Sequence, residues 1–359
     1  MEWQKDLYPI EGDFLETTEG FIFEVKGFEH PKDRIIAYIR YVNPNIRKEK
    51  LYELKDRFLF LQNHAPHYIY QPEWLDFPIQ AVPKEKITKI YLSNQETEKI
   101  ISDYERNKNI RSESLKKTIE FIKMLSEGAN VPVKFFGITG SHLIGREHND
   151  SDIDLIVFGR LNSKKVREVV RNRFSNQHAK LKPYSYQELK EHFKFRAKGS
   201  SITPMQFISA ESRKLHQGFY EETEFFIRFF EYETREEYRI KFGNPESTRI
   251  IAMGRVRLKA TIRDDYNWWT TPSVVEFGNI ENVEVLEKSA RFDEIMKEYC
   301  LDLNEITGSY TLRGRYTENV KLLETVIIEG KLEMVFEPSK NPKLRIYLGS
   351  YSEDKLYPI

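Results

Sequence analysis

"ITGSHLIGREHNDSDIDLIVFG", residues 138–159, decides how this chain is read. It opens on Gly140 and Ser141, just past a strand-like run, VKFFGI (133–138). It closes with Asp152, Ile153 and Asp154 running into Leu155, Ile156, Val157 and Phe158. The apolar tail reads as a buried strand. Alternation along a strand sends Asp152 and Asp154 to one face and Ile153 to the other. Two anions at the head of a buried strand are costly unless paired or bound to a cation, so something positive is expected beside them.

Glycine permits a tight turn and a close approach of phosphate to the backbone. A short helix starting at Ser141 would offer free N–H groups and a positive dipole end, and the Ser141 hydroxyl would add a donor. The aspartates follow after a short spacer, Asp152 standing at residue 152 against Ser141 at 141. Two carboxylates aimed alike can share divalent cations, and two-metal sites hold their ions about 3.5–4 Å apart to stabilise in-line displacement at phosphorus. Mg²⁺ suits such a place, because it takes few protein carboxylates, keeps waters and bridges to substrate phosphates.

Gly140, Ser141, Gly145, Ser151, Asp152, Ile153, Asp154 and Leu155 together resemble the signature of the DNA polymerase beta superfamily of nucleotidyltransferases. The resemblance covers residues 115–235 and is closest to an archaeal branch. It implies a small mixed sheet with helices, Mg²⁺ or Mn²⁺, and transfer of a nucleoside monophosphate from a nucleoside triphosphate. It assigns Gly140 and Ser141 to the triphosphate turn, and Asp152 and Asp154 to the metal.

The family also uses a third carboxylate on a neighbouring strand as general base. The next strand candidate is EFFIRFFEY (224–232), whose middle polar residue is Arg228. If Glu224 is the third acid, Arg228 lies two residues along the same face and can grip phosphate. If Arg228 itself holds the catalytic position, transfer chemistry is crippled. Asp264 and Asp265 are a more distant choice.

Outward from this motif, the expected fold class is α+β, a central polymerase-beta-like nucleotidyltransferase domain flanked by β-rich regions. The expected domains are 1–92 (β-rich), 93–243 (nucleotidyltransferase) and 244–359 (β-rich). In the first, GFIFEVKGF (20–28) and RIIAYIRYV (34–42) read as strands joined by a turn. Helices are expected from a Ser93/Glu96 capping box, from near Ser112 to Gly128 and Asn130, over 163–174 and 186–195, and weakly over 205–219. Beyond 244, extended runs are expected at 250–262 and 273–285, a short helix at 291–300, a hairpin turning at Glu329, Gly330 and Lys331, and a last strand alternating Leu344, Ile346 and Leu348.

Composition bounds the rest. The chain has 359 residues, 40% of them hydrophobic, enough for more than one core. No apolar run approaches the roughly 18 residues of a membrane span. A lone Cys300 precludes an internal disulfide and points to the cytoplasm. The 56 basic and 56 acidic residues cancel overall, yet residues 160–198 hold 12 basic and 3 acidic ones with Tyr184, Tyr186, Phe193 and Phe195 between them. That region reads either as a track for RNA or DNA or as a solvated helical face over core aromatics. Trp268 and Trp269 read first as packing residues, His142 and His148 as polar loop residues, and Cys300 as a core residue on a helix.

Overall fold

Strand β1 (Phe14–Thr17) is followed by the two strands expected from the opening segments, β2 (Ile22–Val25) and β3 (Arg34–Tyr41), which pair antiparallel with Val25 opposite Ala37. The computed structural model describes residues 8–42, 51, 53–107, 110–176, 180–196, 202–242 and 247–359. With β4 (Ile69–Tyr70), β5 (Ile79–Pro83) and β6 (Ile87–Tyr91) these strands make a six-stranded sheet in the order β4-β5-β3-β2-β1-β6. Ile35, Ala37 and Ile39 alternate on its buried face with Phe23, Val25 and Tyr68, under helix α1 (Leu54–His64). The β2–β3 register slips once. Ile22 opposes Tyr41 while Phe23 opposes Ile39, which leaves Arg40 as the extra residue of a β-bulge.

Two helices follow, α2 (Ser93–Asn107) and α3 (Glu113–Ala129). Helix α3 begins and ends as its sequence suggests: the Ser112 hydroxyl accepts from the Leu115 N–H at 3.1 Å, and Asn130 caps it in the left-handed conformation. Ser93 differs from expectation. It is the first helical residue of α2, its N–H donates to Asp13 Oδ1 at 2.9 Å, and its hydroxyl takes Arg235. A distant aspartate therefore caps this helix in place of the local Ser/Glu box.

Strand β7 (Phe136–Ile138) then leads through the five-residue helix α4 (Gly140–Ile144) to β8 (Ile153–Val157) and helix α5 (Arg160–Phe174). The next elements, β9 (Leu181–Lys182), α6 (Tyr186–Arg196), α7 (Pro204–Glu211) and β10 (Gln217–Tyr220), precede β11 (Thr223–Phe229) and α8 (Arg235–Phe242). The helix expected over 205–219 thus stops at Glu211, and its last three residues are strand. β8 pairs antiparallel with β7 and parallel with β11, the mixed sheet that was expected.

The chain forms two compact units, Met1–Asn172 with Glu222–Glu246, and Arg173–Glu221 with Ser247–Ile359. In the second, β12 (Arg249–Asn267) pairs with both β13 (Ser273–Lys288) and β15 (Thr325–Phe336). Strand β14 (Gly308–Thr311) joins β13 to β16 (Lys343–Tyr347), and β16 joins β15, so five strands close on themselves as a barrel. β17 (Lys355–Pro358) takes the other half of the β15 edge. Met253, Val256, Leu258, Ile262, Ile328, Leu332 and Ile346 fill the interior.

Two expectations fail here for physical reasons. Glu329, Gly330 and Lys331 do not turn; they sit inside the continuous strand β15. The charges are held by ion pairs, Glu329 with Arg255 at 2.6 Å and Lys331 with Glu333 at 2.7 Å. Gly330 is needed because a Cβ there would meet Ile346 Cγ2 at 2.7 Å. Cys300 is exposed, since helix α9 (Phe292–Glu298) ends before it. Trp269 is buried and Trp268 packs on the barrel core, the packing reading of that pair. Among the described residues no helix is long and apolar enough to cross a membrane.

Candidate active site

The centre of the site is where α4 begins. Gly140 has φ +66°, and a Cβ placed on it would lie 2.5 Å from Asp154 Oδ2. The bare backbone of the turn is pressed against the carboxylate, and an alanine here would strike it. Thr139 secures the turn from both sides: its N–H donates to the Asp154 carbonyl at 3.0 Å and its hydroxyl to the Gly12 carbonyl at 2.5 Å. Because that hydroxyl is engaged, α4 has no side-chain cap at its N-terminus. Ser141 is half-buried on its first turn.

Asp154 is half-buried within β8, and Asp152 is exposed one residue before the strand begins. The parallel register with β11 puts Phe226 opposite Asp154, and Arg228 opposite Ile156. Phe225 opposes Ile153, so Glu224 stands in line with Asp152 at the heads of the two strands. Glu224, Phe226 and Arg228 are half-buried and alternate with buried Phe225, Ile227 and Phe229. The sheet therefore aligns the acid pair with Glu224 at one end and Arg228 at the other. Asp264 and Asp265 lie in the second unit, where they accept backbone N–H bonds from Tyr266 and Leu322.

A cleft of about 140 Å³ opens beside Asp154. Thr139, Gly140, Asp154 and Arg228 line one part of it; Phe14, Glu24, Arg40 and Tyr41, all from the N-terminal sheet, line the rest. The motif gave no warning of those four. A faint signal was present in GFIFEVKGF, where the charged Glu24 stands inside the otherwise apolar run 21–25.

Glu24 is the hub of the charges around this cleft. Lys26 Nζ stands 2.6 Å from its Oε1, Arg40 Nε 3.2 Å from Oε2, and Arg228 Nη2 3.7 Å from Oε1. Burial opposes its charge, but Lys26, Arg40 and Arg228 outweigh burial and hold its carboxyl well below the usual range. Arg228 also reaches Glu11 at 3.8 Å. Burial works against its charge too, and Glu11, Glu24 and Asp154 more than compensate, raising its pKa further.

His142 is not a loop residue. It is fully buried on α4, bonded through Nε2 to the Ser114 hydroxyl at 2.8 Å, and burial lowers its pKa to about 4. His148 is exposed in a turn closed by Ser151.

The basic stretch 160–198 is less uniform than its composition. Arg160 pairs with Glu231 at 2.6 Å, and Arg167 is buried over the Phe229 ring. Lys194 pairs with Glu191, and Arg196 with Glu211. Tyr184 and Phe193 pack in a small core. Lys164, Lys165, Arg171, Arg173, Lys180, Lys182 and Lys190 are exposed; Lys198 lies outside the described residues. The stretch is divided between the two units at Asn172 and Arg173.

The family described as "Nucleotidyltransferase domain" matches residues 115–242, the span that holds the Gly140 turn, the aspartates and β11. Residues 115–242 are a nucleotidyltransferase domain of the polymerase beta-like superfamily. Such a domain supports nucleotidyl transfer as the general chemistry. The uncharacterized protein MJ1086 of Methanocaldococcus jannaschii is 29% identical to the chain over 359 residues, covering 95% of each. No solved structure matches the chain.

Proposed function

We propose that the protein is a metal-dependent nucleotidyltransferase. It would move a nucleoside monophosphate from an NTP to a hydroxyl, with RNA or DNA as the favoured acceptor. The observation that carries this reading is the Gly140 turn against Asp154, with no room for a Cβ between them. A side-chain-free turn beside a carboxylate is what a phosphate and a cation need in order to meet.

The donor set fits Mg²⁺ or Mn²⁺. It consists of carboxylate oxygens, which hard cations prefer, and Mg²⁺ commonly rests on one or two carboxylates plus phosphates and waters. Among the described residues no group of three or more His, Cys, Asp and Glu is assembled as a metal cage. Asp152 and Asp154 would hold the ion, which when bound supplies neutralising charge to the phosphates and acidity to the acceptor hydroxyl. The remaining work falls to the chain. The Gly140–Ser141 turn orients the β- and γ-phosphates, Arg228 grips phosphate, and Glu224 accepts the hydroxyl proton. The acceptor oxygen bonds to the α-phosphorus as the bond to the bridging oxygen breaks and pyrophosphate leaves. The limits 1–92, 93–243 and 244–359 are proposed as the domains that carry this arrangement.

The test is incubation of the full chain with α-labelled NTPs, Mg²⁺ or Mn²⁺ and mixed RNA. Label should pass to the acceptor and fall at least 1,000-fold, on the order expected for losing transition-state charge stabilisation, in the Asp152→Ala, Asp154→Ala double variant. No transfer, or transfer undiminished by the double substitution, would rule the reading out. One observation favours a second reading: Phe226, not an acid, opposes Asp154. On that reading the fold has lost catalysis and binds nucleic acid, with affinity that falls steeply with salt and does not need Mg²⁺.

A further inference from the structure

The cleft beside Asp154 draws half its wall from the N-terminal sheet, and that half is built in an unusual way. Arg40 and Tyr41 are consecutive residues, which a regular strand would point to opposite faces. Both line the same cleft. The bulge at Arg40 explains this: the extra residue resets the alternation and turns two neighbours toward one space.

The guanidinium groups in the cleft are also incompletely matched. Arg40 Nε is 3.2 Å from Glu24 Oε2, within ion-pair reach but off line for a hydrogen bond. The Nε atoms of both Arg40 and Arg228 are buried and lack a hydrogen-bond partner among the described residues. Buried donors left open in this way call for an explanation, and an acceptor oxygen from outside the chain provides one. Arg228 meets Glu11 and Glu24 only at 3.7–3.8 Å, long for charge-assisted hydrogen bonds. Both cations are therefore held near the acids without being used up by them, across a space that also contains Asp154 and the Gly140 turn.

We propose that the N-terminal sheet completes the nucleotide site, with Arg40 on the β3 bulge binding the phosphate chain together with Arg228, across the cleft from Asp154. This deepens the nucleotidyltransferase reading and rests on it. A planar guanidinium matches phosphate with paired N–H donors, which a lysine does not reproduce. Recognition of the phosphate tail then requires residues 8–42 as well as the domain that carries the aspartates.

The experiment is equilibrium binding of a fluorescent ATP analogue to the full chain, with inorganic tripolyphosphate as competitor, with and without Mg²⁺. Tripolyphosphate should displace the analogue. Arg40→Gln should weaken both ligands by roughly 10- to 100-fold, the usual loss for one charge-assisted hydrogen-bonded contact, with its thermal melt close to that of the unsubstituted chain. If Arg40→Gln melts early, Arg40→Lys gives the readout. It keeps a cation beside Glu24 but not the planar fork, and tripolyphosphate affinity should still fall several-fold. A loss below threefold in a folded variant, while the unsubstituted chain binds both ligands, overturns the role of Arg40 and leaves the nucleotidyltransferase reading standing. Failure of the unsubstituted chain to bind either ligand overturns both.

Discussion

Two clusters of buried charge, one in each compact unit, differ in whether they are finished. In the second unit Glu211 and Lys214 are almost wholly buried and 2.6 Å apart. Glu211 also accepts from Gln217 at 2.7 Å and from Arg196 at 3.3 Å, and Lys214 donates to the Arg315 carbonyl at 2.9 Å. Each charge is met from within the chain. In the first unit, Glu24, Arg40 and Arg228 line an open cleft, their contacts are mostly longer, and two guanidinium Nε atoms are left over. A closed network of buried ions positions and orders its own surroundings. An open one, beside a glycine turn and a carboxylate, is arranged for something that arrives.

The contrast breaks first if the closed cluster tolerates damage. Removing one member of a buried pair strands the other, which typically costs 3–5 kcal/mol. Glu211→Ala should therefore lower the stability of the second unit by about that amount, read as a fall in urea midpoint. Burial already lowers the Lys214 pKa to about 8 against the pull of Glu211. Without Glu211 the lysine would shed its proton to stay buried, so the loss should deepen as the pH falls below 8. A shift under 1 kcal/mol would mean that the cluster is more hydrated than its burial implies.

A second effect should belong to the first unit. His30 is buried with its ring spoken for: Nδ1 accepts from the Ile36 N–H at 3.2 Å, and Nε2 faces the Pro9 carbonyl at 2.9 Å. Burial lowers the pKa of both His30 and His142 from 6.5 to about 4. The unfolded chain then binds these protons more readily than the folded one. Their contribution is complete above pH 6.5 and drains away as the pH falls through 4, at up to about 3 kcal/mol for each. Denaturant midpoints of the full chain at pH 7.5, 5.5 and 4.5 should fall in that order. His142→Gln should flatten the trend, and an unchanged slope would remove His142 from the account.

How much of this could be read beforehand follows from where the physics is local. The Gly140 turn, the aspartate strand and its pairing with β7 depend on residues within about twenty positions of one another, and period and turn chemistry are visible at that range. The ends of α3 were legible for the same reason. Ser93 was misread because its cap is Asp13, which only the tertiary fold brings near. Glu329–Gly330–Lys331 looked like a hairpin because two charges around a glycine resemble a turn; ion pairs and the crowding of Ile346 against Gly330 keep it straight. The larger omission was half of the cleft. Arg40 looks like any polar residue on a half-exposed strand until the bulge turns it, and a bulge is set by pairing with β2, not by the residues of β3 alone.

The smallest expected effect sharpens the comparison most. Arg40 and Glu24 form an ion pair whose arginine side chain is 22% exposed, at the lip of a cleft, with an N–H to spare. A partly solvated arginine beside a buried carboxylate that keeps other partners lies between an exposed pair, about 0–1 kcal/mol, and a buried pair broken open, about 3–5 kcal/mol, and nearer the former. Glu24 keeps Lys26 at 2.6 Å after the arginine is removed, so its charge is not stranded. Arg40→Gln should therefore lower the unfolding free energy, read by urea titration, by about 1 kcal/mol, while the buried pair in the other unit responds several times more strongly to Glu211→Ala. Arg40 would then be a residue the fold barely needs, held on a bulge in a phosphate-sized cleft. If Arg40→Gln instead destabilised the chain as much as Glu211→Ala, the two clusters would be structural alike, and the spare N–H groups would be packing imperfections with no ligand to explain them.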